Sequence, residues 1–182
     1  MDQTNHDLLT LIRDRAENLF LTRQLMCADT VLTVLNSGLG GDLSSETILR
    51  LTSGFPEGLG GAGCICGAVS GGVLALGLFL GGKGPGLTGR KRVMFNTKKL
   101  HDLFKDCYGS TCCRMLTKKI EYGSKQHFKH CAQLTGVATE IAGRLILEMN
   151  PELADQADWP FLEQRDRKFL SIMKGVANWA RP

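Results

Sequence analysis

Apolar side chains recur every three to four residues over most of the chain, as they do on the buried face of an α-helix. The sequence contains little of the strict alternation that is typical of a β-strand, and it contains no internal repeat. This pattern predicts a mainly α-helical protein. The longer predicted helices cover residues 6–18, 19–35 and 124–150.

Shorter helices are predicted between these segments. Asp42 or Ser44 can cap a helix that carries Ile48. Another helix has a single apolar face, which we expect to be buried and which consists of Leu100, Leu103, Phe104 and Cys107. A last amphipathic segment carries Phe169, Ile172, Met173, Val176 and Trp179 at helical spacing.

The length of the chain favours a single domain. Its 182 residues are enough for one hydrophobic core. We predict a helical bundle over residues 1–150 and a helical extension over residues 151–182. The extension is expected to pack on the core or on a partner, such as a second copy of the chain.

The most unusual stretch runs over Gly54–Gly82, where 11 of 29 residues are glycine and only Glu57 is charged. Glycine at this density indicates tight turns or close backbone approach. The stretch predicts a glycine-rich loop that delivers Cys66 to the start of a central buried helix over Gly67–Leu80. That helix has a bare face of small residues four apart, namely Gly67, Gly71 and Ala75.

Composition and charge narrow the classes of function. Hydrophobic residues make up 43% of the chain and charged residues 22%, which is typical of a globular protein. The net charge of +4 is small, and the basic residues between 83 and 99 have few aromatic neighbours, so we expect a solvated Gly/Pro linker over 83–89 and no nucleic-acid site. Residues 58–82 are long enough to cross a bilayer, but their many glycines and alanines favour a buried helix over a membrane segment.

The cysteines suggest chemistry at sulfur. Because the N-terminus lacks the pattern of a signal peptide, we expect a cytoplasmic protein that uses thiols rather than structural disulfides. Taken singly, five of the seven cysteines could be small buried hydrophobic residues, namely Cys27, Cys66, Cys107, Cys113 and Cys131. Together, however, four separate segments each offer sulfur, as a four-thiolate site requires. These are Cys27 within a helix, Cys66 at a helix start, the Cys112–Cys113 pair at a turn, and Cys131 near the start of the longest helix.

Four stretches resemble the C-GCAxxG-C-C family, a group of redox-active, mostly helical proteins that is frequent in anaerobic bacteria and archaea. They are CADTVLTVL (27–35), GFPEGLGGAGCICGAVSGGVLALGL (54–78), CCRML (112–116) and CAQLTGVATEIA (131–142). The resemblance covers about residues 13–147, and its most specific part is CGAVSG at Cys66. It implies that the family's four cysteines correspond to Cys27, Cys66, Cys113 and Cys131, with Cys113 favoured over Cys112 because CRML begins there.

The resemblance implies a redox function. Relatives with c-type haem imply that such a module can hold an iron–sulfur centre, and covalent haem is not expected here because the chain has no CxxCH motif. The four cysteines are expected either to bind a [2Fe–2S]-type cluster for electron transfer with a partner redox protein, or to cycle as a dithiol and disulfide. The extra cysteines leave the ligand set open, because any of Cys64, Cys107 and Cys112 could replace a member.

Two other classes of function stay open at this point. Zinc at the same cysteines would make the protein a non-enzymatic metal-binding or structural module. A membrane-associated component would use the Gly67–Leu80 segment. His127 and Cys131 have a spacing that could serve zinc, but the polar and charged residues around His127 and His130 favour a solvated helix face. No residue is assigned to catalysis.

Overall fold

The computed structural model describes residues 3–82, 84 and 87–167, and these residues form helices and connections without a β-strand. The predicted mainly α-helical fold is therefore confirmed. The helices are α1 (Gln3–Leu21), α2 (Cys27–Gly38), α3 (Ser45–Thr52), α4 (Pro56–Leu59), α5 (Gly67–Leu80), α6 (Leu87–Tyr108), α7 (Cys113–Thr117), α8 (Lys125–Met149), a 3₁₀ helix (Pro151–Gln156) and α9 (Trp159–Glu163).

Helix α5 is the central element, as the sequence predicts. It packs against α2, α6 and α8, and most of its residues are buried. The bare face lets the backbone of α2 approach closely. A Cβ atom added at Gly71 would lie 2.6 Å from the Ala28 carbonyl oxygen and 2.9 Å from Cβ of Val31.

The predicted helix over residues 19–35 is wrong at its start, because a non-helical turn separates α1 from α2. Helix α1 continues to Leu21, and α2 begins only at Cys27. Arg23 takes a left-handed conformation with φ +59°, which a continuous helix does not allow. The Asp29 carboxylate then accepts a hydrogen bond from the Met26 N–H at 3.0 Å and starts α2. Cys27 therefore lies at a helix start rather than within a helix.

The predicted apolar face of α6 is buried only in part. Leu100 and Phe104 are fully buried, whereas Leu103 is 40% exposed and Cys107 is exposed. Helix α6 packs on α5 and α8 from one side of the bundle, so its buried stripe is narrower than the sequence pattern. It also begins at Leu87, so the last three residues of the predicted 83–89 linker are helical.

Two serine caps fix helix starts at the expected places. Ser44 accepts a hydrogen bond from the Thr47 N–H at the start of α3, and Ser124 accepts one from the His127 N–H at the start of α8. Helix α8 spans Lys125–Met149, which agrees with the predicted 124–150 within one residue at each end.

The chain after α8 folds back onto the bundle. Leu162 is fully buried, and the Arg15 guanidinium pairs with the Asp166 carboxylate at 2.8 Å with both side chains nearly buried. The predicted amphipathic segment from Phe169 to Trp179 lies outside the described residues. Within the described ranges, no helix is long and apolar enough to span a membrane.

Candidate functional site

The four cysteines singled out in the sequence line one open cavity of about 620 Å³. They come from four different elements: Cys27 is the first residue of α2, Cys66 directly precedes α5, Cys113 is the first residue of α7, and Cys131 lies in the second turn of α8. Much of the remaining wall is apolar. The other lining residues include Phe20, Leu25, Met26, Phe128 and Leu134.

Gly67, the first residue of α5, allows Cys27 to lie next to the start of that helix. A Cβ atom at Gly67 would collide with Sγ of Cys27 and would lie 2.9 Å from the Phe55 carbonyl oxygen. Only a residue without a side chain therefore lets the first turn of α2 lie against Cys66 and the first turn of α5.

The glycine-rich loop brings Cys113 to the same cavity. Gly58 has φ +74°, and a Cβ atom there would lie 2.8 Å from the Cys64 nitrogen and 2.9 Å from Cβ of Cys113. The Cys66 N–H donates to the Thr111 carbonyl oxygen at 2.8 Å, and the Arg114 N–H donates to the Gly63 carbonyl oxygen at 3.0 Å. The loop and the turn before α7 are thus joined by backbone hydrogen bonds on both sides of the cysteines.

Burial keeps the cavity thiols neutral. It raises the pKa of Cys66 to about 12 and that of Cys131 to about 12. It raises the pKa of Cys27 to about 11, although the backbone N–H of Glu57 acts in the opposite direction. Burial also raises the pKa of Cys113. The thiols influence one another as well, because a charge on any one of them opposes ionisation of its neighbours.

A polar group borders the cavity beside Cys131. The Tyr122 hydroxyl donates a hydrogen bond to the Glu57 carboxylate, and this bond raises the pKa of Tyr122. The Tyr122 ring lies 5.0 Å from the His127 ring, centroid to centroid. Nδ1 of His127 accepts a hydrogen bond from the Gly123 N–H at 3.3 Å, which leaves Nε2 to donate to Sγ of Cys131 at 3.6 Å.

The prediction of a solvated helix face is wrong for His127, which lines the cavity and is partly buried. Burial lowers its pKa. The spacing of His127 and Cys131 was the one signal in the sequence that pointed to this contact. Glu57 and Tyr122 carried no such signal, because Glu57 of α4 and Tyr122 of the turn before α8 are far apart in sequence and meet at the cavity only in the folded chain.

The three remaining cysteines lie outside the cavity lining. Cys107 is exposed on α6, Cys64 is exposed in the glycine-rich loop, and Cys112 is partly exposed directly before Cys113. The neighbouring Cys112 side chain raises the pKa of Cys64. The pKa of Cys112 is lowered, chiefly by the backbone N–H of Met115 and further by Cys64 and the charge of Arg114.

The donor set of the cavity fits a soft-metal cofactor. Four thiols from four elements are the ligands that iron–sulfur clusters take, and they surround a space large enough for several metal and sulfide atoms. Within the part of the chain that the structure describes, no three histidine, cysteine, aspartate or glutamate side chains are gathered tightly enough to hold a single metal ion. Cys27, Cys66, Cys113 and Cys131 are the residues that would hold a cluster.

The fold and the site define a class of protein, a helical bundle with a cavity lined by cysteines from four elements. Over residues 25–145 the chain matches the family described as "Putative redox-active protein (C_GCAxxG_C_C)". Because this match covers most of the chain, the protein belongs to that redox-active family. Neither the curated proteins nor the solved structures provide a match.

Proposed function

We propose that the protein transfers electrons through an iron–sulfur cluster held by Cys27, Cys66, Cys113 and Cys131. The observation that carries this proposal is the common cavity, which these four residues reach from α2, the glycine-rich loop, α7 and α8. Membership of a redox-active family supports it. When bound, such a cluster supplies one-electron chemistry that side chains lack, and a partner redox protein would exchange the electron.

The shape of the site favours a cluster over a single zinc ion. Zinc draws four sulfurs to about 2.3 Å from one point, so the sulfurs lie about 4 Å from one another. A cluster instead spreads its ligands around two or more irons. Within the described residues, no three candidate ligands lie close enough together to hold a single ion, which supports the second arrangement.

The cavity lining carries both signs of charge, because the carboxylates of Asp29 and Glu57 line it together with two arginines. Arg23 and Arg114 both line the cavity, and their guanidinium groups would offset the charge of thiolates and sulfide. The Arg23 guanidinium is held 4.0 Å from the centre of the Phe128 ring, which keeps it near the opening. The His127 Nε2–H adds a donor to Cys131, and hydrogen bonds to ligating sulfur tune the potential of such clusters.

Burial makes Cys66 a poor candidate for thiol–disulfide exchange with a partner, whereas Cys27, Cys113 and Cys131 are partly exposed. Cys66 is only 5% exposed, so the sulfur of an external disulfide could not reach it without opening the bundle. A ligand role needs only that small ions enter the cavity. The dithiol alternative is therefore less well supported for pairs that include Cys66.

Reconstitution of the full chain under anaerobic conditions tests the proposal. After incubation with ferrous iron and sulfide, we expect iron and sulfide in equal amounts, a brown colour, and a paramagnetic signal on reduction or oxidation. Replacement of any one of Cys27, Cys66, Cys113 and Cys131 by serine is expected to reduce cluster content severalfold, because a hydroxyl is a poor soft-metal ligand.

Cys107→Ser is the matched control, since Cys107 is exposed on α6 and lies outside the cavity lining. It should retain the full iron and sulfide content. A colourless protein that holds zinc through the same four cysteines would overturn the proposal in favour of the structural alternative. A chain that takes up no iron, or four serine variants that all keep their iron, would overturn it as well.

A further inference from the structure

A second pair of cysteines meets at the surface, apart from the cavity. Sγ of Cys112 donates a hydrogen bond to the Gly63 carbonyl oxygen at 3.0 Å. Because this oxygen and the Cys64 nitrogen belong to the same peptide plane, the Cys112 sulfur lies against the backbone of Cys64 itself. The side chains of Cys64 and Cys112 also lie close enough that each shifts the pKa of the other.

The backbone holds these two cysteines together from both sides. On one side, the Cys66 N–H bonds to the Thr111 carbonyl oxygen at 2.8 Å. On the other, Arg114 donates through its N–H to the Gly63 oxygen at 3.0 Å and through Nη2 to the Ala62 oxygen at 2.8 Å. Disulfides form without strain only where the two backbones already lie close, and these contacts keep the backbones close.

This pair lies outside the lining of the cavity and is open to solvent. Cys64 is exposed and Cys112 is partly exposed, and neither lines the cavity. Sulfur that solvent reaches can meet a sulfur of another molecule, whereas buried sulfur is inert to exchange. The pair therefore has both properties of an exchange site, which are access from outside and a second thiol within reach.

We propose that Cys64 and Cys112 form a surface thiol–disulfide exchange site that reduces small-molecule disulfides. One thiol, as the thiolate, attacks a sulfur of the external disulfide, forms a mixed disulfide and expels the other half as a thiol. The second cysteine then attacks the sulfur of the first, forms the Cys64–Cys112 bond and releases the remaining half. The two cysteine sulfurs are oxidised, the two external sulfurs are reduced, and the two protons of the cysteines end on the released thiols.

The test equilibrates the full chain with mixtures of oxidised and reduced glutathione, blocks free thiols by alkylation and identifies linked tryptic peptides by mass spectrometry. Trypsin places Cys64 and Cys66 in the peptide 51–83, and Cys107, Cys112 and Cys113 in the peptide 106–114. We expect these two peptides to be linked, with two glutathione molecules released for each bond formed. In Cys64→Ser and in Cys112→Ser the link should be lost, and glutathione should remain attached to the other cysteine of the pair.

Three matched variants decide whether the link belongs to this pair. The link should persist in Cys66→Ser, Cys113→Ser and Cys107→Ser. The proposal would be overturned if the link were lost in Cys66→Ser or Cys113→Ser but retained in Cys64→Ser or Cys112→Ser. Attachment of glutathione without any link between the two peptides would overturn it as well. The iron content of reconstituted Cys64→Ser separates this proposal from the proposal for the cavity. The iron content of this variant should equal that of the unaltered chain, whether or not the disulfide link is lost.

Discussion

At the scale of single residues, burial divides the cysteines into two chemical kinds. Cys66 is 5% exposed, whereas Cys64, two positions earlier, is exposed. Cys113 and its neighbour Cys112 are both partly exposed, but only Cys113 lines the cavity. Adjacent sulfurs in one short segment are thus suited to different roles, one enclosed and able to ligate, the other accessible and able to exchange.

The enclosed thiols predict a loss of stability of the metal-free protein at alkaline pH. Burial raises the pKa of Cys66 to about 12, against 9.0 for an ordinary thiol. Below pH 9 the thiol is protonated in both states, so it adds no pH dependence. Between pH 9 and about 12 it ionises only in the unfolded chain, which favours unfolding by about 2 kcal/mol at pH 10.5.

Urea unfolding at pH 8 and pH 10.5 measures this effect. The fall in unfolding free energy between the two pH values should be smaller in Cys66→Ala than in the unaltered chain, because one raised pKa is gone. Cys107→Ala removes an exposed cysteine, so its unfolding free energy should fall between the two pH values by as much as that of the unaltered chain. An equal fall in Cys66→Ala and Cys107→Ala would contradict the assignment.

At the scale of elements, the small residues of α5 decide how closely its neighbours lie. Gly67 and Gly71 leave room for the first turns of α2, and Gly72 leaves room for Leu100 of α6. Gly77 on the same helix is exposed and has no neighbour within 4 Å of an added Cβ atom. Glycine is therefore needed for packing at one end of α5 and not at the other.

Alanine at Gly67 and at Gly77 should change stability in opposite directions. Gly67→Ala places a methyl group against Sγ of Cys27 and is expected to destabilise the fold by about 1–3 kcal/mol through overpacking. Gly77→Ala adds helix propensity without a clash and is expected to stabilise by about 0.5–1 kcal/mol. Thermal and urea unfolding of both variants measure the difference, and equal shifts of the same sign would refute the close approach.

At the scale of the whole molecule, the segment after α8 covers the end of α2 and is tied to α1. Leu162 of α9 lies where a side chain at Gly38 would stand, since a Cβ atom there would be 2.8 Å from its Cδ2. The Asp166 N–H donates to the Asn18 side-chain oxygen at 2.9 Å, beside the Arg15–Asp166 pair. This segment closes the core on the side of α1 and α2.

Truncation of Leu162 tests how much this cover contributes. Leu162 is fully buried, so Leu162→Ala should cost about 2–5 kcal/mol of unfolding free energy. Leu51→Ala is the matched control, because Leu51 is 50% exposed on α3 and its loss should change stability by no more than about 0.5 kcal/mol. Similar costs measured in urea for the two variants would show that the segment after α8 does not belong to the core.

The sequence by itself determined the elements and the kind of chemistry. Apolar spacing is a local property, so it predicted α8 and the mainly helical fold correctly, and the uninterrupted apolar run with its small-residue face predicted α5. The family resemblance singled out Cys27, Cys66, Cys113 and Cys131 because the order and spacing of cysteines are written in the chain. The cap at Ser44 acts within one turn, and the sequence predicted it as one of two candidates.

Only the tertiary structure decided what depends on contacts between distant segments. Leu103 and Cys107 fit an apolar stripe, yet they are exposed because α6 packs on its neighbours from one side only. The meeting of Cys64 with Cys112 depends on hydrogen bonds between segments almost 50 residues apart, so no local pattern encodes it. The cavity border of Glu57, Tyr122 and His127 likewise exists only because α4 meets the start of α8, and this meeting is a property of packing rather than of any one stretch of chain.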